Sequence, residues 1–429
     1  MKPLALASAA FLLATLSSHA DWNRFRGPNG TGIATGTAPL KWSAHEHLAW
    51  KAELPGPGTS SPITVGGKVF ITCWSGYGDG GSGDMSQLKR HLVCLSKTDG
   101  HVLWDAAVPA ALPEDPYEGM LREHGYASST PASDGERVYV FFGKTGALAF
   151  DLNGRQLWQT PLGTHSNDRR WGSAASPMLY KDLLVVNALD EGSAIVALNK
   201  NTGKEVWKAP AEGLQLAYST PALSEHDGQQ DLLIAVPQEL WGLNPDNGKL
   251  RWYAAHDLSG NLSPGVIIGD GTAYVFGGFP KQGSAAIKPG GKDDVTKTNL
   301  LWQSNESSYV PTPVFFDGHL YVINDDGFAL CIEAKTGKEV FRERVMEGAR
   351  GGKRRGGGKP FYASPVLADG KIYCPSRKNG TFVIAAKPAY ELLAKNVIEG
   401  DDSQFNATPA VDGGRLYLRS DRALYCIGE

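Results

Sequence analysis

The sequence is poor in sulfur: 429 residues hold five Cys and five Met. The odd cysteine count (Cys73, Cys94, Cys331, Cys374 and Cys426) excludes a framework in which every thiol is paired. No two Cys are adjacent, and the C-x-x-C-H attachment motif of a c-type haem is missing. H-E-x-x-H and G-x-S-x-G are absent too, which removes two common hydrolase signatures. Neither sign of charge dominates: 42 Lys and Arg stand against 45 Asp and Glu. A net charge of −3 supplies no global field for nucleic acid or an anionic bilayer. Long helical periodicity is scarce, and past residue 20 no apolar run is long enough to span a membrane.

Residues 1–20 read as an export signal. Lys2 starts it, residues 4–16 are apolar, and Ser18-His19-Ala20 is a small-x-small cleavage site. The mature chain, residues 21–429, is expected as one domain in the periplasm or outside the cell, without a transmembrane or lipid anchor. An exported chain can form disulfides, so a Cys73–Cys94 bridge is considered. Three of the Cys have another reading. Cys94, Cys331 and Cys426 fall where Ala149 and Ala197 sit in a repeat, and a free Cys behaves there as a small hydrophobe.

The mature chain is rich in Gly (52) and Trp (11), as expected of an all-β protein with many turns. A unit recurs along it. A small or hydroxyl residue and Pro precede a strand, at Pro62, Pro131, Pro177, Pro221, Pro264, Pro313, Pro365 and Pro409. A Gly-Gly or Asp-Gly turn follows, then a β-branched strand, a loop, and an apolar strand with Ala or Cys at its centre. A Thr-Gly turn leads to a last strand ending in Trp, as in ALNKNTGKEVW at 197–207. The closing Trp occurs at 50, 104, 158, 207, 252 and 302, with Phe341 and Leu393 as expected replacements. Four antiparallel strands repeated eight times predict a β-propeller. The last unit lacks its fourth strand, and residues 48–52 match that strand. The N-terminal strand is therefore expected to complete the eighth blade and remove an open sheet edge.

The unit resembles the repeat of quinoprotein-type propellers, related to dehydrogenases that use pyrroloquinoline quinone (PQQ). Ala197, Thr202-Gly203 and Trp207 carry the likeness, as do Ala334, Thr336-Gly337 and Phe341. Trp22–Pro28, Phe361–Pro365 and Phe405–Pro409 are similar to exported PQQ-like propellers of undefined activity. The resemblance implies an eight-bladed quinoprotein alcohol dehydrogenase-like fold. It also implies alternatives to a plain binding module: a PQQ- and calcium-dependent oxidoreductase, or an outer-membrane assembly scaffold. The adjacent Cys pair of many such dehydrogenases is missing, and no Glu/Asn/Asp set matches their calcium site residue by residue.

Several short motifs read more simply as turns. Gly76-x-Gly78-x-x-Gly81 follows a strand but has no helix after it. Gly143-Lys144-Thr145 lies in a hairpin, and Asp325-Asp326-Gly327 fits a hairpin turn. His45 and His47 share a strand face as weak metal candidates. The basic segment 350–359 reads as a Gly-rich link, with an anion clamp as its alternative.

Strand order places the links between blades on one face, here the top. Most long irregular segments (74–90, 106–125, 162–172 and 346–360) fall there, and such variable rims carry binding. Residues just before each opening Pro should ring the channel mouth. The candidate site is His124, Tyr126, Arg169, Arg170, Trp171, Tyr218, Tyr309, Tyr362, Asp402, Phe405 and Asn406, with Asp401 beside it. Aromatic faces with hydrogen-bonding groups suit a planar cofactor or a sugar, and the expected occupant of the top face is a small molecule, a sugar or a protein. The chain is expected to act as a monomer, with no nucleic-acid partner.

Overall fold

A computed structural model describes residues 21–78, 83–212, 214–346 and 359–429. The expected signal, most of the basic segment and part of the 76–81 glycine motif lie outside them. Among the described residues there are eight sheets, one for each repeat, and in each blade the strand that follows the opening Pro begins the four-stranded order on the inner side. They form the eight-bladed ring, neighbour packed on neighbour. The chain of buried contacts shows this: Leu198 of blade three packs with Tyr139 of blade two, and Leu92 of blade one packs with Val138 of blade two.

Blade three shows why these residues make strands. Its two central strands, Leu183–Ala188 and Ala194–Asn199, are nearly continuous apolar runs buried on both faces. The outer strand, Glu205–Pro210, alternates instead, turning Trp207 and Ala209 inward. The ring closes as expected. Leu48–Glu53 pairs antiparallel with Ala423–Ile427, placing Trp50 opposite Cys426. Two sheets gain a fifth short strand, Ile33–Ala34 inside blade seven and Asp293–Asp294 outside blade four.

The repeat's Gly and Trp form a joint between blades. The outer-strand Trp leans onto the next blade's turn: Trp158 Nε1 donates to Lys200 O at 3.0 Å, and Trp207 Nε1 to Pro245 O at 3.0 Å. Gly203 has φ +71°, and a Cβ there would stand 2.7 Å from the Trp158 ring. Glycine is required twice over, by backbone handedness and by the ring against it. Trp252 departs from this pattern. Blade five has the longer segment 288–299 in place of the Gly turn, and Trp252 Nε1 turns back to Asp231 Oδ2 at 2.7 Å.

Leu393 does not replace the closing Trp. The pairing sets Ala394 opposite Val383 and leaves Leu393 at the bulge. An N-terminal residue fills that place: Trp42 stacks on Tyr373 of blade seven at 6.1 Å. The Cys73–Cys94 bridge is not formed. All five thiols are free and buried, and Cys73 and Cys94 project into different core clusters on opposite sides of blade one. The Cys-for-Ala reading holds: Cys94, Cys331 and Cys426 oppose Trp104, Phe341 and Trp50, as Ala197 opposes Trp207.

Before joining blade eight, the chain crosses the channel. Trp22 exchanges backbone and side-chain hydrogen bonds with Thr64 on the inner strand of blade one. Asn23 O accepts from Ser133 N of blade two. Buried Arg26 donates to Thr312 O at 2.7 Å and to Pro313 O at 2.8 Å in blade six. Ile33–Ala34 then pairs in parallel with blade seven. This plug sets the depth of the site.

Candidate functional site at the channel mouth

All eight links between blades contribute to one cavity of about 150 Å³. Its lower wall is a ring of hydroxyl residues, each just before an opening Pro. These hydroxyls also lace the blades together. Ser61 N donates to Thr130 Oγ1, Thr130 N to Ser176 Oγ, Ser176 N to Thr220 Oγ1, Thr312 N to Ser364 Oγ and Ser364 N to Thr408 Oγ1, all at 2.9–3.1 Å. Each such bond contributes about 0.5–1.5 kcal/mol. The Ser/Thr-Pro step therefore sets φ for the inner strand and hydrogen-bonds the neighbouring blade.

Phe25 lines this cavity and also a second one on the other side, shared with Arg26 and Ile33. The plug thus makes the mouth a blind pocket with Phe25 in its floor. In the sequence, residues 22–28 carry only a family likeness, since nothing local shows that the segment crosses the ring.

Six of the expected residues line the pocket: His124, Trp171, Tyr218, Tyr309, Tyr362 and Asn406. Trp171 stacks on Tyr218 at 6.4 Å. Burial raises the phenol pKa values, Tyr362 to about 12, so these hydroxyls remain protonated. His124 Nε2 meets Trp171 O at 2.8 Å and its Nδ1 meets Ser128 Oγ at 2.5 Å. Burial pushes its pKa below the usual histidine value, which favours the neutral ring.

The other five lie off the wall. Tyr126 is buried in an aromatic cluster with Trp74, Tyr77 and Tyr117, and its hydroxyl donates to Asp115 O at 2.6 Å. Arg169 sits over the Trp171 ring at 5.2 Å, bracing it from outside the cavity. Arg170 adopts φ +53° in the adjoining turn. Phe405 stacks on Tyr425 at 6.0 Å, and exposed Asp402 pairs with Arg422 at 2.7 Å. Asp401, beside it, accepts from the Tyr425 hydroxyl at 2.7 Å.

Arg377 was missed because it follows a strand rather than preceding a Pro. Its guanidinium lies over Tyr362 at 4.5 Å, donates to Asn406 Oδ1 at 3.1 Å, and pairs with Glu123. Asn406 Nδ2 donates in turn to Glu123 O at 3.0 Å. This latch fixes the short helix Leu121–His124 against the blade seven side of the mouth and neutralises Glu123.

A second, smaller polar cavity of about 30 Å³ adjoins the pocket, and Ser128 and Gly172 line both. Around it Arg90 pairs with Glu114 at 2.6 Å and Lys144 with Asp115 at 3.3 Å. Asn167 links Asp190 (2.6 Å) to the Tyr218 hydroxyl (2.9 Å). Burial raises Asp190 to about 6 and Glu191 to about 8. Gly143-Lys144-Thr145 is a buried single turn in this wall. Among the described residues, no group of three or more His, Cys, Asp or Glu is placed to hold a metal, His45 and His47 included.

Residues 40–171, 89–273 and 293–391 match the family described as "Outer membrane protein assembly factor BamB". The chain belongs to this PQQ-like repeat family. The assembly factor BamB of Burkholderia pseudomallei strain K96243 is 23% identical over 99% of this chain and 96% of that protein. BamB of Alkalilimnicola ehrlichii is 27% identical, but over 50% of this chain and 47% of its own length. A partial match of 25% identity, over 62% of this chain and 52% of the other, reaches the tetrathionate hydrolase of Acidithiobacillus ferrooxidans. Among solved structures, BamB from Moraxella catarrhalis overlays with a TM-score of 0.60 at 13% identity, covering 88% of this chain and 96% of that one. A europium-containing methanol dehydrogenase overlays at 0.63 with 12% identity, over 94% and 89%. At such identities the BamB and dehydrogenase structures speak for the shared propeller alone.

Proposed function

We propose that this propeller is a periplasmic binding module of the assembly-factor kind, which seats a loop of a protein partner in its top-face mouth. The supporting observation is the convergence of all eight blade links on one blind pocket with aromatic and hydroxyl walls. Its carboxylate, Glu123, is held by Arg377, so the wall favours neutral hydrogen-bonding and apolar groups. Relatives named for outer-membrane protein assembly make a protein the preferred occupant over a sugar or a small molecule. Among the described residues no helix is long and apolar enough to cross a membrane. Activity as a monomer and export through residues 1–20 belong to the same proposal. Trp171→Ala with Tyr309→Ala should abolish co-purification with envelope assembly components while the protein stays folded. Unchanged recovery of the same partner would overturn the reading.

The fold neighbours raise a second reading, a PQQ- and calcium-dependent oxidoreductase. The residues here do not fit that pair. Among the described residues the wall offers Glu123 alone as a carboxylate, already bound to Arg377, and the five thiols are separate and away from the pocket. Titration with PQQ and calcium should give no saturable change in Trp fluorescence and no dye reduction with alcohols. Tight, calcium-dependent binding would restore the oxidoreductase reading.

A further inference from the structure

Ser75, His91 and Asp105 come from three successive strands of blade one, Lys68–Ser75, Lys89–Ser96 and Val102–Pro109. Side-chain alternation and register bring them to one face. Cys73 opposes His91 and Val93 opposes Asp105, and Ser75 stands two residues beyond Cys73. Ser75 Oγ lies 2.8 Å from His91 Nε2. His91 Nδ1 lies 2.9 and 3.0 Å from the two oxygens of Asp105. The carboxylate can only accept, so Nδ1 carries the hydrogen and Nε2 is left to accept from the serine hydroxyl. Each group thus meets the partner that a nucleophile, a base and an orienting carboxylate require.

The face is the one packed on blade eight, where Val69, Ile71 and Cys73 meet Leu418 and Tyr425, and the three polar residues lie beyond that core. The imidazole is 8% exposed and the Asp105 side chain 33%, while Ser75 is half-buried and followed by exposed Gly76. The ring-closing link approaches closely: a Cβ on Gly56 would stand 3.7 Å from that of Ser75. Neither Ser75 nor His91 lines the channel mouth.

We propose that Ser75, His91 and Asp105 form an acyl-transfer site for carboxylic esters at the seam between blades eight and one. Ser75 Oγ attacks the ester carbonyl while its proton passes to His91 Nε2. Collapse of the tetrahedral adduct breaks the C–O bond to the alcohol, and His91 returns the proton to the leaving oxygen. Water then attacks the acyl-serine with His91 as base, releasing the acid and regenerating the Ser75 hydroxyl. Water is the sole co-reactant. Asp105 is a positioning residue that fixes the tautomer and stabilises the imidazolium.

The test is labelling of the folded mature chain with a fluorophosphonate probe, followed by peptide mapping, with a p-nitrophenyl acetate assay alongside. One label on Ser75 is expected, absent in Ser75→Ala at an unchanged melting temperature. His91→Asn should slow labelling at least ~100-fold, within the range ascribed to a general base. Asp105→Asn should slow it, and Asp105→Glu, which returns a carboxylate, should recover part of the loss. Absence of labelling in the folded wild-type chain would overturn the proposal. A label on Ser128 beside His124 would also overturn it, as would an undiminished rate in a folded Asp105→Asn.

Discussion

Trp42 stacks on Tyr373 with ring centroids 6.1 Å apart and planes 27° apart, so a residue upstream of blade eight completes blade seven. Tyr139–Trp158 and Tyr274–Trp302 make the corresponding contact within one sheet, at 6.1 and 6.0 Å. The N-terminal segment therefore supplies three parts: a plug, a missing aromatic and a closing strand. Trp42→Ala should cost about 3–5 kcal/mol, in line with other buried Trp truncations. A shift in urea midpoint worth less than about 1 kcal/mol would show that blade seven does not depend on it.

The Gly–Trp joint gives a controlled comparison. Gly203 and Gly271 both have left-handed backbone, φ +71° and +70°, but only Gly203 faces a ring, while the Gly271 Cβ position has no atom within 4 Å. Gly271→Ala should lose about 1–2 kcal/mol from backbone handedness alone. Gly203→Ala should lose about 1–3 kcal/mol more, because the Trp158 ring must shift. Equal losses in denaturant unfolding would mean that the ring yields freely.

The buried acids beside the mouth make stability pH-dependent. Folding raises Asp190 to about 6 and Glu191 to about 8, both by burial. The native state therefore holds protons that the unfolded chain releases, and stability falls as pH rises. The contribution is fully present below about pH 4 and is lost progressively as pH rises through 6 to 8, an effect of order a few kcal/mol at about 1.4 kcal/mol per unit. Glu191→Gln should flatten the dependence between pH 5 and 8. Stability rising over that interval in the wild-type protein would contradict this assignment.

The repeat was legible because its period recurs in residue types: Pro before the inner strand, Gly at the turn, Trp on the outer strand. Closure was legible because residues 48–52 copy the missing outer strand. What escaped notice was carried by residues without a repeat. Trp42 and Phe25 act across the ring, and no spacing announces a contact with a blade more than 300 residues away, as between Trp42 and Tyr373. Tyr126 precedes a Pro link like Tyr218 and Tyr362, but Trp74 at the end of a blade-one strand and Tyr77 and Tyr117 of neighbouring loops close over it. Arg377 lies on a different loop class from the mouth aromatics, so a rule based on links alone passed it by.

On the proposed function the mouth, not the opposite face, meets a protein partner. A photo-crosslinking residue at Tyr309, on the pocket wall, can be compared in cells with one at exposed Lys335 in a turn of the opposite face. A defined adduct is expected from position 309 to an outer-membrane assembly component or its client, lost when Trp171→Ala is added. A crosslink from position 335 alone, or none from 309 in the folded protein, would contradict it.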